Sequence, residues 1–149
     1  MTENVPIEII PNATLDSIIN GQVDGVCKKF SISSDGQNKN DYILLLSSRL
    51  LKSNKSTYLK VKLPYGKRDK ILEVVTKLDK IITIYKISSL KKIDRDAFEL
   101  DEIINTAKNT YNKSYVSFYG IIVLKEMPEI QVLSAVQKNL LNKLQFMPW

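Results

Sequence analysis

A strict alternation of apolar and polar residues runs through residues 56–66, STYLKVKLPYG. A period of two is typical of a β-strand whose two faces meet different surroundings. The alternation separates three aliphatic side chains from a tyrosine and two lysines: Leu59, Val61 and Leu63 against Tyr58, Lys60 and Lys62. The pattern therefore predicts a strand with one apolar face and one basic face.

Four further segments have the length and the β-branched or aromatic content of strands. They cover residues 22–33, 41–51, 79–93 and 113–126. Residues 68–78, RDKILEVVTKL, instead place apolar side chains at helical spacing, with Glu73 and Lys77 as a favourable i,i+4 pair. These patterns predict a helix between the third and fourth strands. The acidic stretch 95–112 has room for a short helix before the fifth strand.

The end of the chain is predicted to be an amphipathic helix and a tail, residues 127–149. Pro128 and Glu129 suit the first turn of a helix. One apolar stripe follows, formed by Ile130, Leu133, Val136, Leu140 and Leu144. The stripe must be buried either on the rest of the chain or on a partner, and the tail adds interface-type residues in Phe146, Met147 and Trp149. We expect this stripe to contact a partner subunit.

The order of predicted elements is β-β-β-α-β-β followed by a helix. This is the order of the OB-fold, a five-stranded Greek-key barrel with a helix between strands 3 and 4. The predicted fold class is therefore mainly β with helices. The barrel is expected over residues 14–126, and the C-terminal helix over residues 127–149 packs on the barrel or on a partner.

Composition removes most kinds of catalytic and metal chemistry from consideration. The 149 residues contain one cysteine, Cys27, and no histidine, the commonest general base and zinc ligand. No glycine-rich phosphate loop is present. We therefore expect a binding protein without catalytic activity, cofactor or metal. A single cysteine and the absence of an apolar run of about 20 residues fit an intracellular protein with no membrane span.

The net charge of +6 is concentrated in the middle of the chain. Residues 51–92 hold twelve basic and three acidic side chains, whereas residues 1–50 hold four and six, and residues 93–149 hold six and seven. So confined an excess indicates a localised surface for an anionic partner.

Tyrosines are interleaved with these cations, as in proteins that stack bases on aromatic rings while lysine and arginine follow the phosphates. OB domains that bind nucleic acid use the face of their second and third strands. The candidate nucleic-acid-binding residues are Tyr58, Lys60, Lys62, Tyr65, Lys67, Arg68, Tyr85 and Lys86. The simpler alternative is a solvated strand whose lysines keep it soluble and prevent edge pairing.

A resemblance to a known family covers residues 14–124. The segments that carry it are ATLDSIINGQVDGVCKKFSIS, DYILLLSS, TYLKVKLPYG, KLDKIITIYKISSLKK and SYVSFYGIIVL. In this order the chain resembles the telomeric single-strand-binding OB domains of protection-of-telomeres and telomere end-binding proteins and of the yeast telomere-capping complex. It departs from them at Leu78-Asp79-Lys80, where those families often have a glycine, and in the acidic stretch before the last strand.

The resemblance implies a nuclear protein that binds single-stranded DNA, or RNA, within a telomere-capping or single-strand DNA-binding complex. The implied protein partner is another OB-fold subunit, or a second copy of this chain through the C-terminal helix. An alternative keeps the fold but not the ligand: an OB-fold interaction or dimerisation subunit of such a complex that does not itself touch nucleic acid.

Overall fold

The structure, a computed structural model, describes most of the chain: residues 2–8, 14–21, 27–33, 46 and 56–148. The chain divides into two compact units, Met1–Asp79 and Lys80–Trp149. Both units contain strands and helix, so the fold is a mixed α/β fold. The boundary between the units lies within the segment that the sequence assigns to one barrel.

The first unit begins with two strands that flank a short helix in sequence. Strands β1 (Thr2–Glu8) and β2 (Cys27–Ser33) pair antiparallel, and α1 covers Leu15–Ile19. Thr14 caps this helix reciprocally with Ser17: the Ser17 amide donates to the Thr14 hydroxyl at 3.2 Å, and the Thr14 amide donates to the Ser17 hydroxyl at 3.1 Å. Such a capping box satisfies amides that the first helical turn leaves without partners.

The rest of the first unit that the structure describes is a hairpin of two long strands, apart from the buried helical residue Leu46. Strands β3 (Ser56–Tyr65) and β4 (Arg68–Leu78) pair antiparallel from Ser56 opposite Lys77 to Tyr65 opposite Arg68. Only two residues connect them, and the first, Gly66, has φ +63°. Glycine at this position with positive φ is typical of a type II′ turn, whose twist matches that of the paired strands.

Residues 68–78 are therefore a strand, and the helix predicted there is wrong. Residues opposite one another in the hairpin share a face, so Leu72, Val74 and Thr76 lie on the face of Val61 and Leu63, and all five are buried. Val75 is also buried but lies on the other face, which produced the apparent helical spacing.

The second unit is a parallel sheet with two connecting helices. Strands β5 (Ile81–Ser88), β6 (Ser117–Leu124) and β7 (Gln145–Pro148) lie side by side in that order. Parallel neighbours require a crossover connection, and helices supply both: α2 (Ile93–Thr110) before β6 and α3 (Ile130–Lys138) before β7.

Helix α2 packs on the sheet face that carries Gly120. A β-carbon on Gly120 would lie 2.8 Å from Leu144 Cδ2 and 3.0 Å from Leu100 Cδ2, so only glycine admits both leucines without movement. The same face carries Lys86, whose Nζ lies 3.6 Å from Glu99 Oε1. It also carries Ser88, whose hydroxyl donates to the buried Asp96 carboxylate at 2.7 Å. These contacts fix the helix to the first two strands of the sheet.

Other predicted elements are found with changed bounds. The third predicted strand is confirmed as β3, and the fourth and fifth are shorter, as β5 and β6. The acidic stretch forms 18 residues of helix and not a short one. In the predicted strand 41–51 only Leu46 is described, and it is helical; the remainder lies outside the described residues, as do residues 22–26 of the first predicted strand. The C-terminal helix ends at Lys138, and a strand follows.

The predicted OB-fold is not confirmed. Its order needs a helix after the third strand, where the structure has β4, and the strands of the second unit run parallel in an open sheet among the residues that the structure describes. No helix within the described ranges is long and apolar enough to cross a membrane.

Candidate nucleic-acid interface

Half of the basic side chains of residues 51–92 lie on the β3–β4 hairpin. Residues 56–78, which we call the basic hairpin, contain six basic and two acidic side chains. Lys67 and Arg68 are exposed at its tip, and Lys62 and Lys70 are partly exposed further along the strands. A short turn between long strands therefore presents several cations near one end of the hairpin.

Most of these cations are available to bind an anion. Lys60, Lys62, Lys67 and Arg68 take part in no ion pair within the part of the chain that the structure describes. The carboxylates of the hairpin are Asp69 and Glu73. Unpaired surface cations release their own counterions when phosphates replace them, which is the main source of nonspecific affinity for nucleic acid.

Tyr65 lies against Lys70, which is not among the predicted binding residues. The Lys70 Nζ is 5.8 Å from the centroid of the Tyr65 ring, within the range of a cation–π contact. The pairing of β3 with β4 explains the contact between Lys70 and Tyr65. Lys70 lies opposite Leu63 and is therefore on the same face of the hairpin as Tyr65. A prediction of residues 68–78 as a strand with a two-residue turn would have identified Lys70 from sequence.

The candidate residues occupy both faces of the ribbon. Tyr65 shares a face with its partner Arg68, whereas Lys62 lies on the opposite face beside Ile71, which is 50% exposed. Lys67 belongs to the turn that joins the two strands. A strand of nucleic acid that engages all of them would have to pass around the tip of the hairpin.

Lys60 has an unusual backbone conformation for a lysine within a strand. Its φ is +52°, in the left-handed region that disfavours residues with a β-carbon, and its side chain is exposed. The pairs Leu59–Val74 and Val61–Leu72 flank it without a shift in alignment. Backbone strain of this kind costs about 1–3 kcal/mol and is concentrated at functional sites.

Two of the predicted tyrosines are buried. Tyr58 is 7% exposed and Tyr85 is 3% exposed, so neither ring offers a surface on which a base could stack. Tyr85 and Lys86 also belong to the second unit, where Lys86 pairs with Glu99. The structure thus brings together five of the eight predicted residues on the exposed part of one hairpin: Lys60, Lys62, Tyr65, Lys67 and Arg68.

The predicted partner stripe is divided between buried and exposed positions. Val136 and Leu144 are 6% and 4% exposed, and Leu144 lies beyond the end of α3, beside Gly120. Leu133 and Leu140 are partly exposed, and Ile130 is 74% exposed. Part of the stripe therefore belongs to the core of its own unit.

The carboxylates that are buried in the second unit have structural partners. Asp96 accepts from Ser88, and Asp101 accepts from the Leu141 amide at 3.0 Å and from the Asn142 amide at 2.8 Å. Among the described residues no group of three or more His, Cys, Asp or Glu side chains is arranged to hold a metal ion.

No family model, no curated protein and no solved structure matches this chain. The basic hairpin is therefore interpreted from its own residues.

Proposed function

We propose that the protein binds single-stranded nucleic acid, without catalysis, through the exposed part of the basic hairpin. The observation that carries the proposal is a set of four cations of the hairpin, Lys60, Lys62, Lys67 and Arg68, that form no ion pair within the described residues. Tyr65, which lies opposite Arg68, adds an aromatic ring to the same hairpin. Lysine and arginine bind the phosphates, and Tyr65 offers a ring on which a base can stack. The OB-fold is not needed for this mode of binding.

Salt dependence measures how many of these cations contact phosphates. On single strands each phosphate contact contributes about 0.7 to the slope of log K against log salt concentration. We therefore expect a slope of about −3 from the four cations, measured by fluorescence anisotropy with an oligothymidylate probe.

A double substitution tests the site directly. Replacement of Lys67 and Arg68 by alanine should reduce the slope by about 1.4 and lower the affinity about tenfold at low salt. The matched control replaces Lys113 by alanine, since this lysine is exposed on the second unit. An unchanged slope in the double variant, or an equal effect of the control, would contradict the proposal.

The cellular setting that we propose is a telomere-capping or single-strand DNA-binding complex in the nucleus. Its support is the resemblance of residues 14–124 to telomeric single-strand-binding domains, separate from the charge argument. A competition assay tests it: a guanine-rich telomeric repeat should displace the oligothymidylate probe about tenfold more effectively than a mixed sequence of equal length. Equal displacement would remove the telomeric setting and leave the binding activity intact.

A second candidate function is association with a partner protein through the C-terminal region. The partner would be another subunit of the same complex or a second copy of this chain. It is favoured by Ile130 and Leu141, which are 74% and 81% exposed. Removal of residues 127–149 is not a suitable test, because it would delete β7 and the partners of Asp101. Replacement of Ile130 and Leu141 by glutamate keeps these contacts, and sedimentation should then report dissociation to monomer.

A further inference from the structure

An open groove of about 350 Å³ lies between helix α3 and strand β7 in the second unit. Its apolar lining comes from Leu133, Leu144 and Phe146. Leu144 is buried, while Leu133 and Phe146 are partly exposed, so the groove has an apolar floor that solvent can reach. A volume of this size suffices for one or two side chains of a ligand.

Two lysines border this apolar floor. Lys138 ends α3 and Lys143 precedes β7; both line the groove and both are exposed. Neither forms an ion pair within the described residues. The remaining lining residues, Ser134 and Gln137, are uncharged. The groove therefore combines an apolar surface with a positive border and fits a ligand that is apolar in its centre and acidic at its ends.

The walls of the groove are held in place without a ligand. The Gln137 side chain donates to the Asn142 carbonyl at 2.7 Å and accepts from the Leu144 amide at 2.8 Å, which ties α3 to the segment before β7. The Asp101 carboxylate, on α2, accepts hydrogen bonds from the amides of residues 141 and 142 and so fixes the same segment to α2. A preformed site avoids the ordering cost of binding.

The groove is adjacent to an open strand edge. Strand β7 pairs with β6 on one side and with no strand on the other within the described part of the chain. Phe146 lies opposite Ile122, and Ile122 lies opposite Lys86, so Phe146 is on the face that carries the helices. A strand added beside β7 would therefore place alternate side chains in the groove while its backbone pairs with the edge.

We propose that this groove and the edge of β7 bind an extended acidic peptide of a partner protein by strand addition. Apolar side chains of the peptide occupy the floor formed by Leu133 and Phe146. Its acidic residues pair with Lys138 and Lys143. The site lies wholly within the second unit, so it is independent of the basic hairpin and of the nucleic-acid proposal.

The test uses the full chain and a fluorescein-labelled peptide with a central valine–leucine–valine triplet flanked by two glutamates on each side. We expect a dissociation constant of about 100 µM or tighter by anisotropy. Replacement of Lys138 and Lys143 by glutamate should weaken binding at least about tenfold, because attraction becomes repulsion. The matched control replaces Lys80 and Lys113, which are exposed in the same unit and lie outside the groove, by glutamate.

A second peptide separates strand addition from charge attraction. Methylation of alternate backbone amides keeps every charge but prevents pairing along one edge, and should weaken binding about tenfold. Amide resonances of Phe146 and Met147 should shift with the unmodified peptide only. Unchanged affinity of the lysine variant or of the methylated peptide overturns the proposal, as does displacement of the peptide by oligothymidylate.

Discussion

The side chain of Asp101 joins α2 to Asn142, a residue 41 positions later in the chain. Its Oδ1 accepts from the Asn142 amide at 2.8 Å and from the Asn142 side-chain nitrogen at 2.9 Å. Its Oδ2 accepts from the Leu141 amide at 3.0 Å. Asp101 is only 3% exposed, so these donors take the place of water around a buried carboxylate.

Replacement of Asp101 by asparagine should lower the free energy of unfolding by about 2–4 kcal/mol, measured by urea denaturation. The amide group has one oxygen acceptor and turns a nitrogen toward a backbone donor, so at least one buried amide loses its partner. Replacement of the exposed Asp94 in the first turn of the same helix by asparagine is the control and should cost less than about 1 kcal/mol. Equal losses at both positions would show that the carboxylate of Asp101 has no special structural role.

Gly120 and Gly66 are required for different reasons: Gly120 has close neighbours, whereas Gly66 has a positive φ. This difference provides a second prediction. Alanine at Gly120 would meet Leu144 and Leu100 within about 3 Å, and overpacking should cost about 1–3 kcal/mol. Alanine at Gly66 meets no atom within 4 Å but must adopt φ near +63°, which should cost about 1 kcal/mol. Thermal or urea unfolding measures both.

A double-mutant cycle separates the two causes. Leu144→Val shortens the side chain that Gly120 contacts, so the loss from Gly120→Ala should be smaller in that background, by about 0.5–1 kcal/mol. The loss from Gly66→Ala should be the same in both backgrounds. Additive losses for Gly120→Ala and Leu144→Val would contradict the close approach.

The sequence was sufficient to predict β3, because its alternation is strict and its two faces differ in polarity. It was not sufficient for residues 68–78. A strand that is buried on one face and partly on the other brings Leu72, Val74 and Val75 close together in sequence, and this spacing mimics a helix. The β-branched residues and the glycine of the turn before them were the contrary signals.

The role of the buried acids could not be predicted for a different reason. Asp96 and Asp101 lie in an acidic stretch whose composition is typical of a solvent-exposed segment. Asp96 pairs with Ser88, and Asp101 pairs with residues 141–142. Nothing in the spacing along the chain indicates these pairings. The burial of Tyr58 and Tyr85 likewise depends on what covers each strand face, which a count of interleaved tyrosines does not reveal.

Substitutions of Tyr65 should separate base stacking from charge. Tyr65→Leu removes the aromatic ring and should weaken binding of an oligothymidylate by about 1–3 kcal/mol. Tyr65→Phe retains the ring and the cation–π contact with Lys70, so its affinity should stay close to that of the native protein. The slope of affinity against salt should be equal in both variants, because neither removes a cation. Equal weakening by leucine and phenylalanine would exclude stacking on this ring.

Lys60 offers a test in which stability and binding change in opposite directions. Because its φ is +52°, Lys60→Gly removes the steric cost of the β-carbon and should stabilise the protein by up to about 1 kcal/mol in urea denaturation. The same variant loses an exposed cation, so the salt slope for oligothymidylate should decrease by about 0.7. Lys60→Arg is the matched control, because it keeps the charge and the strain and should leave both stability and slope unchanged. If the glycine variant is more stable but its slope of affinity against salt is unchanged, Lys60 does not contact the nucleic acid. The strained backbone at Lys60 would then have no role in binding.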